Sequence, residues 1–134
     1  MKRLLLSALC ALLLSATAAA QSFVGTLNTN GYERKNVTVR IAVQAANKQQ
    51  AVLSMYNAKF SRWMPLTVDF DIYPVTLDEN QRLSANNVIP TYKGEKQEKR
   101  IVRQLTGAVT SNSLTFKCLM GDKNVSFSGK SKGK

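Results

Sequence analysis

The chain has 134 residues, of which 19 are Lys or Arg and 8 are Asp or Glu, so its formal net charge is +11. This length predicts one domain with a single modest core. The absence of histidine excludes Ser–His and Cys–His catalysis and every imidazole metal site. Two cysteines are too few for a four-thiolate zinc or iron–sulfur site. Composition therefore predicts a small cationic domain with no cofactor.

The first twenty residues have the organisation of a secretory signal peptide. Met1-Lys2-Arg3 is a positive n-region, residues 4–14 are an apolar h-region, and Ala18-Ala19-Ala20 is a small-residue cleavage signal. A transmembrane span needs about 20 strongly apolar residues, and this segment is shorter. The sequence therefore predicts that residues 1–20 are removed and that the protein does not span a membrane.

Cleavage would leave a domain over residues 21–129 and a flexible basic tail over residues 130–134. Two of the basic residues and none of the acidic ones lie in residues 1–20, so the remaining chain carries a net charge of +9. Its one cysteine, Cys118, cannot form an intrachain disulfide, and the domain must depend on its core. We expect export to the periplasm or the cell exterior, away from nucleic acid.

The remaining chain alternates with the period of a β-strand. Apolar residues occupy every second position in three segments, which places one row of side chains in a core and the other in water. Shorter β-rich segments fill the intervals, and turn sequences such as Asn30-Gly31 and Gly121-Asp122 separate them. Short connections predict antiparallel pairing of successive strands, and an open sheet would leave two edges with unpaired backbone groups. The sequence therefore predicts an all-β antiparallel meander of about eight strands that closes into a barrel. The three long segments are Val37–Val43, Leu66–Ile72 and Leu114–Met120.

One change of parity predicts a curved strand. Core-type residues have even numbers through Ile72 and odd numbers at Val75 and Leu77. A slip of one residue at Tyr73-Pro74 is typical of a β-bulge, where proline is tolerated. We therefore expect one long strand over Met64–Leu77 that bends at Pro74.

These strand and turn sequences resemble the calycin-like domain family of small secreted bacterial proteins. The resemblance implies a lipocalin-type antiparallel barrel of about eight strands that holds a small apolar ligand inside. It rests on the segments Phe23–Leu27, Asn36–Val39, Met64–Asp69, Pro74–Leu77, Leu83-Ser84, Leu105–Val109, Ser113–Thr115 and Val125–Gly129.

Six large apolar residues are the candidates for such a ligand site. In the alternative interpretation the inward residues only fill the barrel, as they do in other eight-stranded barrels. For the tryptophan, the alternatives are a place at the barrel mouth with Tyr56 and Tyr92 or a cap on one end of the core. The six candidates are Met55, Trp63, Phe70, Phe116, Met120 and Phe127.

Two further features invite a chemical interpretation. Cys118 could be a reactive thiol, but its phase with Phe116 and Met120 points it into the core, where a thiol is inert. Asp69 and Asp71 share one strand face and could act as a carboxylate pair, although outward polar positions have the same pattern. No other catalytic set accompanies them, so an enzyme is not expected.

The sequence thus predicts an exported, non-enzymatic β-barrel that binds a small hydrophobic molecule. The alternative is a surface interaction module for a protein, a glycan or an anionic component of the cell envelope. The alternative rests on the positive charge, the basic segment Tyr92–Arg103 and the lysines of the tail. An open apolar interior would favour the first hypothesis, and a filled interior the second.

Overall fold

The structure is a computed structural model that describes the backbone of residues 17–131 and the side chains of residues 20–131. Almost every element in this range is a strand, and one short 3₁₀ turn spans Glu98–Arg100. The strands are β1 (Thr17–Thr29), β2 (Tyr32–Gln44), β3 (Gln50–Ala58), β4 (Val68–Leu77), β5 (Arg82–Ala85), β6 (Thr91–Tyr92), β7 (Glu95–Lys96), β8 (Val102–Val109), β9 (Ser113–Met120) and β10 (Lys123–Ser131).

Eight strands close into an antiparallel barrel, as the sequence predicts. The order around the barrel is β1, β2, β3, β4, β5, β8, β9 and β10, and the pairing of β10 with β1 and of β3 with β4 leaves the ring closed. Two-residue turns join β1 to β2 and β9 to β10, at Asn30-Gly31 and Gly121-Asp122. The remaining strands, β6 and β7, form a small hairpin that pairs with β4 at Asp71.

The barrel interior is one apolar cluster to which all eight strands contribute. Alternate residues point inward along each strand, and the largest fully buried side chains include Phe23, Leu53 and Leu105. Two aromatic pairs lie within it: Phe116 stacks on Phe127 with centroids 5.7 Å apart, and Phe60 meets Phe70 edge-to-face at 5.3 Å. The core side chains therefore fill the barrel themselves.

The predicted bulge in β4 is confirmed. Ile72 pairs with Leu53 and Val75 with Ala51, so β4 carries one extra residue between these two pairs. Tyr73 and Pro74 are both exposed there, and their peptide bond is cis. The prediction that this strand begins at Met64 is wrong, because the strand begins at Val68. Pro65 has no N–H to donate to a ladder, and residues 59–67 form a loop instead.

Both ends of the predicted domain extend as strands. Residues 17–20 belong to β1 and pair with the end of β2, and Lys130 and Ser131 continue β10 past Gly129. Residues 1–16 of the predicted signal peptide and residues 132–134 of the predicted tail lie outside the described part of the chain. Within that part, no helix is long and apolar enough to cross a membrane.

The two ends of the barrel differ. One end is covered by the loop of residues 59–67, from which Phe60 packs into the core beneath Arg100, whose guanidinium carbon lies 5.0 Å from the ring centroid. We call it the Phe60 end. The other end, which we call the Val109 end, is formed by the start of β1 and the last residues of β2, β4 and β8.

Candidate functional site

The structure separates the six predicted ligand-binding residues into two groups. Five of them are buried together in the core cluster: Met55, Phe70, Phe116, Met120 and Phe127. Trp63 is 85% exposed on the loop at the Phe60 end and does not join them. Tyr56 and Tyr92, which one of the two interpretations of Trp63 places with it at the barrel mouth, line a cleft on the outside of the barrel instead. The other interpretation, that Trp63 caps one end of the core, is also wrong, because its side chain is exposed.

An apolar recess of about 210 Å³ opens at the Val109 end. It is small compared with ordinary ligand pockets, which measure about 300 to 1,000 Å³. Gln21 lies at its edge, where its side-chain amide donates to the carbonyl oxygen of Ser111 at 2.9 Å. The residues that line the recess are Ala20, Gln21, Ile41, Val43, Leu77, Gln81 and Val109.

A cleft of about 450 Å³ lies on the outer wall near the Phe60 end, between the β3–β4 pair and the β6–β7 hairpin. Its volume falls within the range of ordinary ligand pockets. Aromatic rings, carboxylates, a hydroxyl and an ammonium group meet in it, whereas the rest of the outer wall has few aromatic side chains. The lining residues are Tyr56, Thr67, Asp69, Phe70, Asp71, Tyr92 and Lys93.

A bulge in β3 shapes one wall of the cleft. Met55 pairs with Phe70 and Ala58 with Val68, so β3 carries an extra residue between these two pairs. Asn57 has a φ of +66° there, a backbone conformation that asparagine tolerates well. Its N–H donates to Asp69 at 3.0 Å. Tyr56 faces outward by the ordinary alternation of β3, opposite Thr38, and the bulge that follows it orients the carboxylate of Asp69.

Arg34 holds this bulge from β2. Its Nη2 donates to Oδ1 of Asn57 at 2.9 Å, and its Nε donates to the backbone carbonyl oxygen of Asn57 at 3.2 Å. Asn57 also donates through Nδ2 to the carbonyl oxygen of Asn36 at 3.2 Å. Asn57 of β3 is thus hydrogen-bonded to residues of both neighbouring strands, β2 and β4. This network fixes its left-handed conformation, so this wall of the cleft is preorganised.

Asp71 forms the other wall with the hairpin. Ser54 Oγ donates to Asp71 Oδ1 at 2.5 Å, and Asp71 pairs in register with Thr91 of β6. Ser54 is on the outward row of β3 but is only 4% exposed, because neighbouring groups cover the wall there. Beyond Thr91, the chain reverses at Lys93 and Gly94, both with positive φ, and Lys93 Nζ lies 5.5 Å from the centroid of the Tyr92 ring.

The cleft combines hydrogen-bonding groups with aromatic rings. Its two carboxylates accept hydrogen bonds, Lys93 donates them, and the two tyrosines offer both ring faces and hydroxyl groups. Among the described residues, no group of three or more His, Cys, Asp or Glu side chains could hold a metal ion. The arrangement suits a small ligand that carries several hydroxyl groups and an apolar face.

A broader groove of about 810 Å³ crosses the outer wall over β1, β10, β9, β8 and β5. Two adjacent rows of outward side chains run through it at right angles to the strands, as the strand registers require. Most of these side chains are short and hydroxylated, and those that project into the groove are not aromatic. The rows are Thr26, Ser128, Thr115, Ala108 and Arg82, and beside them Asn28, Ser126, Lys117, Thr106 and Ser84.

Cys118 is a free, buried thiol, as its position in the alternation predicts. Desolvation by burial raises its pKa from an ordinary value of 9.0 to about 12. We therefore expect a thiol reagent at pH 8 to leave Cys118 unmodified in the folded protein and to modify it promptly in urea. Reaction in the native protein at the rate of the unfolded chain would contradict the buried position.

The same pKa shift fixes the sign of a pH effect. Between pH 9 and about pH 12 the unfolded thiol loses its proton while the folded thiol keeps it, so stability falls as pH rises. The limiting slope is about 1.4 kcal/mol per pH unit. The quantity to measure is the difference in unfolding free energy between wild type and Cys118→Ala as a function of pH, because this difference isolates the contribution of the thiol.

Several residues of the cleft were not identified from the sequence. Thr67 and Lys93 come from a loop and a hairpin whose packing against β4 depends on distant contacts. Gly94, a glycine in a polar segment, is a turn signal that could have located one wall.

Comparisons with protein-family models, curated proteins and solved structures returned no match. The function is therefore inferred from the geometry of this chain's own residues.

Proposed function

We propose that this chain is an exported, non-enzymatic binding protein of calycin type that recognises a carbohydrate in the outer cleft. The observation that carries the proposal is the combination of two tyrosines with two oriented carboxylates in one cleft of ligand size. Its export rests on the signal-peptide pattern of residues 1–20. Its calycin relationship rests on the strand pattern, with which the closed eight-stranded barrel is compatible.

The chemistry of the cleft favours a neutral polyhydroxylated ligand. Sugar hydroxyl groups can donate to Asp69 and Asp71 and accept from Lys93, and the C–H face of a pyranose ring packs against an aromatic ring. The two carboxylates disfavour a strongly anionic ligand, whereas a neutral ligand with several hydroxyl groups can use both the carboxylates and Lys93. The filled interior also favours binding at the outer wall, since Phe116 and Phe127 stack where an enclosed ligand would lie.

A second candidate function is the binding of a small lipophilic molecule at the Val109 end. The apolar recess there, between Ile41, Val43, Leu77 and Val109, is the observation that favours it. A volume of about 210 Å³ admits only a small molecule or the end of a longer chain.

The test is a titration with a panel of glycans and lipophiles, followed by amide NMR shifts and by calorimetry on any hit. We expect a glycan to shift amides of β3, β4 and the β6–β7 hairpin. Asp69→Asn and Asp71→Asn should each weaken binding about tenfold, because a charge-assisted hydrogen bond becomes a neutral one. Each amide still accepts from its neighbour on β3, so the fold should persist.

Asp122→Asn is the matched control, since Asp122 is exposed in the β9–β10 turn away from the cleft. It should bind like the wild type. Shifts confined to Ile41, Val43, Leu77 and Val109 with a lipophile, and none with glycans, would replace the proposal with the second candidate. Equal affinities for all three variants would remove the cleft as the binding site.

A further inference from the structure

The loop of residues 59–67 exposes two large apolar side chains on a rigid base. Trp63 is 85% exposed and Leu66 is 75% exposed. Phe60, on the same loop, is buried, and its N–H donates to Met64 Sδ at 3.1 Å. The backbone N–H of Trp63 in turn donates to Ser61 Oγ at 2.9 Å. The loop therefore holds its tip residues out in water and its base residues in the core.

Basic residues surround this tip. Lys59 and Arg62 lie on the loop itself, which has no acidic residue. The segment that follows β5 packs beside it: Arg100 covers the Phe60 ring, and Lys93 shares the outer cleft with Thr67. That segment adds Lys96 and Lys99 to Lys93 and Arg100, against two acidic residues, Glu95 and Glu98.

We propose that the Phe60 end docks on the surface of a lipid bilayer that contains anionic lipids. Trp63 and Leu66 would enter the boundary between headgroups and acyl chains, where an amphipathic indole ring is favoured. The surrounding lysines and arginines would contact the negatively charged headgroups. A single exposed apolar residue is ordinary on a protein surface, but two on one anchored loop with a basic surround match an interfacial bilayer site.

Trp63 is the only tryptophan of the chain, so its emission reports directly on the proposed contact. The experiment mixes the protein with phosphatidylcholine vesicles, with and without phosphatidylglycerol. We expect co-sedimentation and a blue shift of the emission with the anionic vesicles, and quenching when the acyl chains are brominated. Leu66→Ala keeps the fluorescent probe and should weaken vesicle binding about tenfold. Trp63→Ala should do the same by co-sedimentation.

Tyr73→Ala is the matched control. Tyr73 is 48% exposed on the bulge of β4, and its hydroxyl donates to Gln50, at the Val109 end of β3. This variant should bind vesicles like the wild type. Lys96→Glu with Lys99→Glu should reduce the preference for phosphatidylglycerol, since both side chains are exposed on the segment whose Arg100 covers the Phe60 ring.

Three outcomes would overturn the proposal. Trp63 emission that is unchanged on anionic vesicles would show that the tip does not enter the bilayer. Vesicle binding that is unaffected by Trp63→Ala and Leu66→Ala would indicate adsorption through charge alone. A blue shift that depends on protein concentration without vesicles, together with a dimer in sedimentation that Trp63→Ala abolishes, would assign the tip to contact between copies of the chain. Carbohydrate binding in the cleft is tested separately and does not depend on these results.

Discussion

Gly25→Ala should lower the unfolding free energy by about 3 kcal/mol or more, because the barrel has no space for the added methyl group. Gly25 lies on β1 opposite Gly129 of β10. A Cβ atom at Gly25 would overlap the carbonyl oxygen of Ser128 and the Cα of Gly129, and it would lie 2.7 Å from the carbonyl carbon of Ser128. These are backbone atoms, so a rotamer change cannot relieve the overlap and β10 itself must move.

The expected sign is informative, since a glycine-to-alanine change at a backbone conformation that alanine can adopt without strain stabilises a protein slightly by restricting the unfolded chain. Urea unfolding provides the measurement, as a shift of the midpoint at constant slope. Gly94→Asn is the comparison: nothing lies within 4 Å of its added Cβ, so only the backbone strain of a side chain at φ +82° opposes the change, and asparagine is among the residues for which that strain is smallest. A Gly25→Ala protein within about 0.5 kcal/mol of the wild type would contradict the close packing of β1 on β10.

The barrel could be predicted from the sequence because the patterns that specify it, strand alternation and short turns, lie within short segments of the chain. Alternation over Val37–Val43 and Leu114–Met120 specifies which face of each strand is buried, and short turns specify antiparallel neighbours. The parity slip at Tyr73-Pro74 could be located for the same reason, since a bulge moves the inward positions by one along the strand. Closure followed from the number of strands and from the need to cover both sheet edges.

The candidate site did not follow in the same way, because its parts meet through distant contacts. The alternation identifies Asp69 and Asp71 as outward carboxylates. Their hydrogen-bond partners, Asn57 and Ser54, belong to β3, which the alternation of β4 does not reveal. The bulge in β3 is also harder to locate, because its change in parity is less clear than the one at Pro74. For Trp63 the sequence left two positions open, beside Tyr56 and Tyr92 or as a cap on one end of the core. The structure shows neither, because the side chain is exposed and does not line the cleft.

Phe60 illustrates the same limit. Lys59 and Ser61 flank it with polar side chains, so Phe60 keeps the parity of Ala58. Because β3 ends at Ala58, the sequence alone does not show that this parity extends into the loop and selects Phe60 over Trp63 for the core. In the structure Phe60 is 2% exposed and Trp63 is 85% exposed. The loop has one buried and one exposed aromatic residue three positions apart, and this pair provides an internal comparison.

Phe60→Ala should therefore lower the unfolding free energy by about 3 to 5 kcal/mol, the usual range for truncating a buried phenylalanine. The change removes the edge-to-face contact with Phe70, whose ring centroid is 5.3 Å away, and leaves Arg100 above an empty position. Trp63→Ala deletes a larger side chain from the same loop and should change stability by about 0.5 kcal/mol or less, since the indole ring is already in water.

Urea unfolding of the two variants under identical conditions gives the comparison directly. If the two changes cost the same, the loop does not distinguish its two aromatic residues, and the burial of Phe60 at this end of the barrel is wrong. If Phe60→Ala alone is destabilising, the base of the loop is part of the core. The exposed indole ring of Trp63 then contributes little to stability, so a loss of vesicle binding in Trp63→Ala can be assigned to the lost contact and not to unfolding.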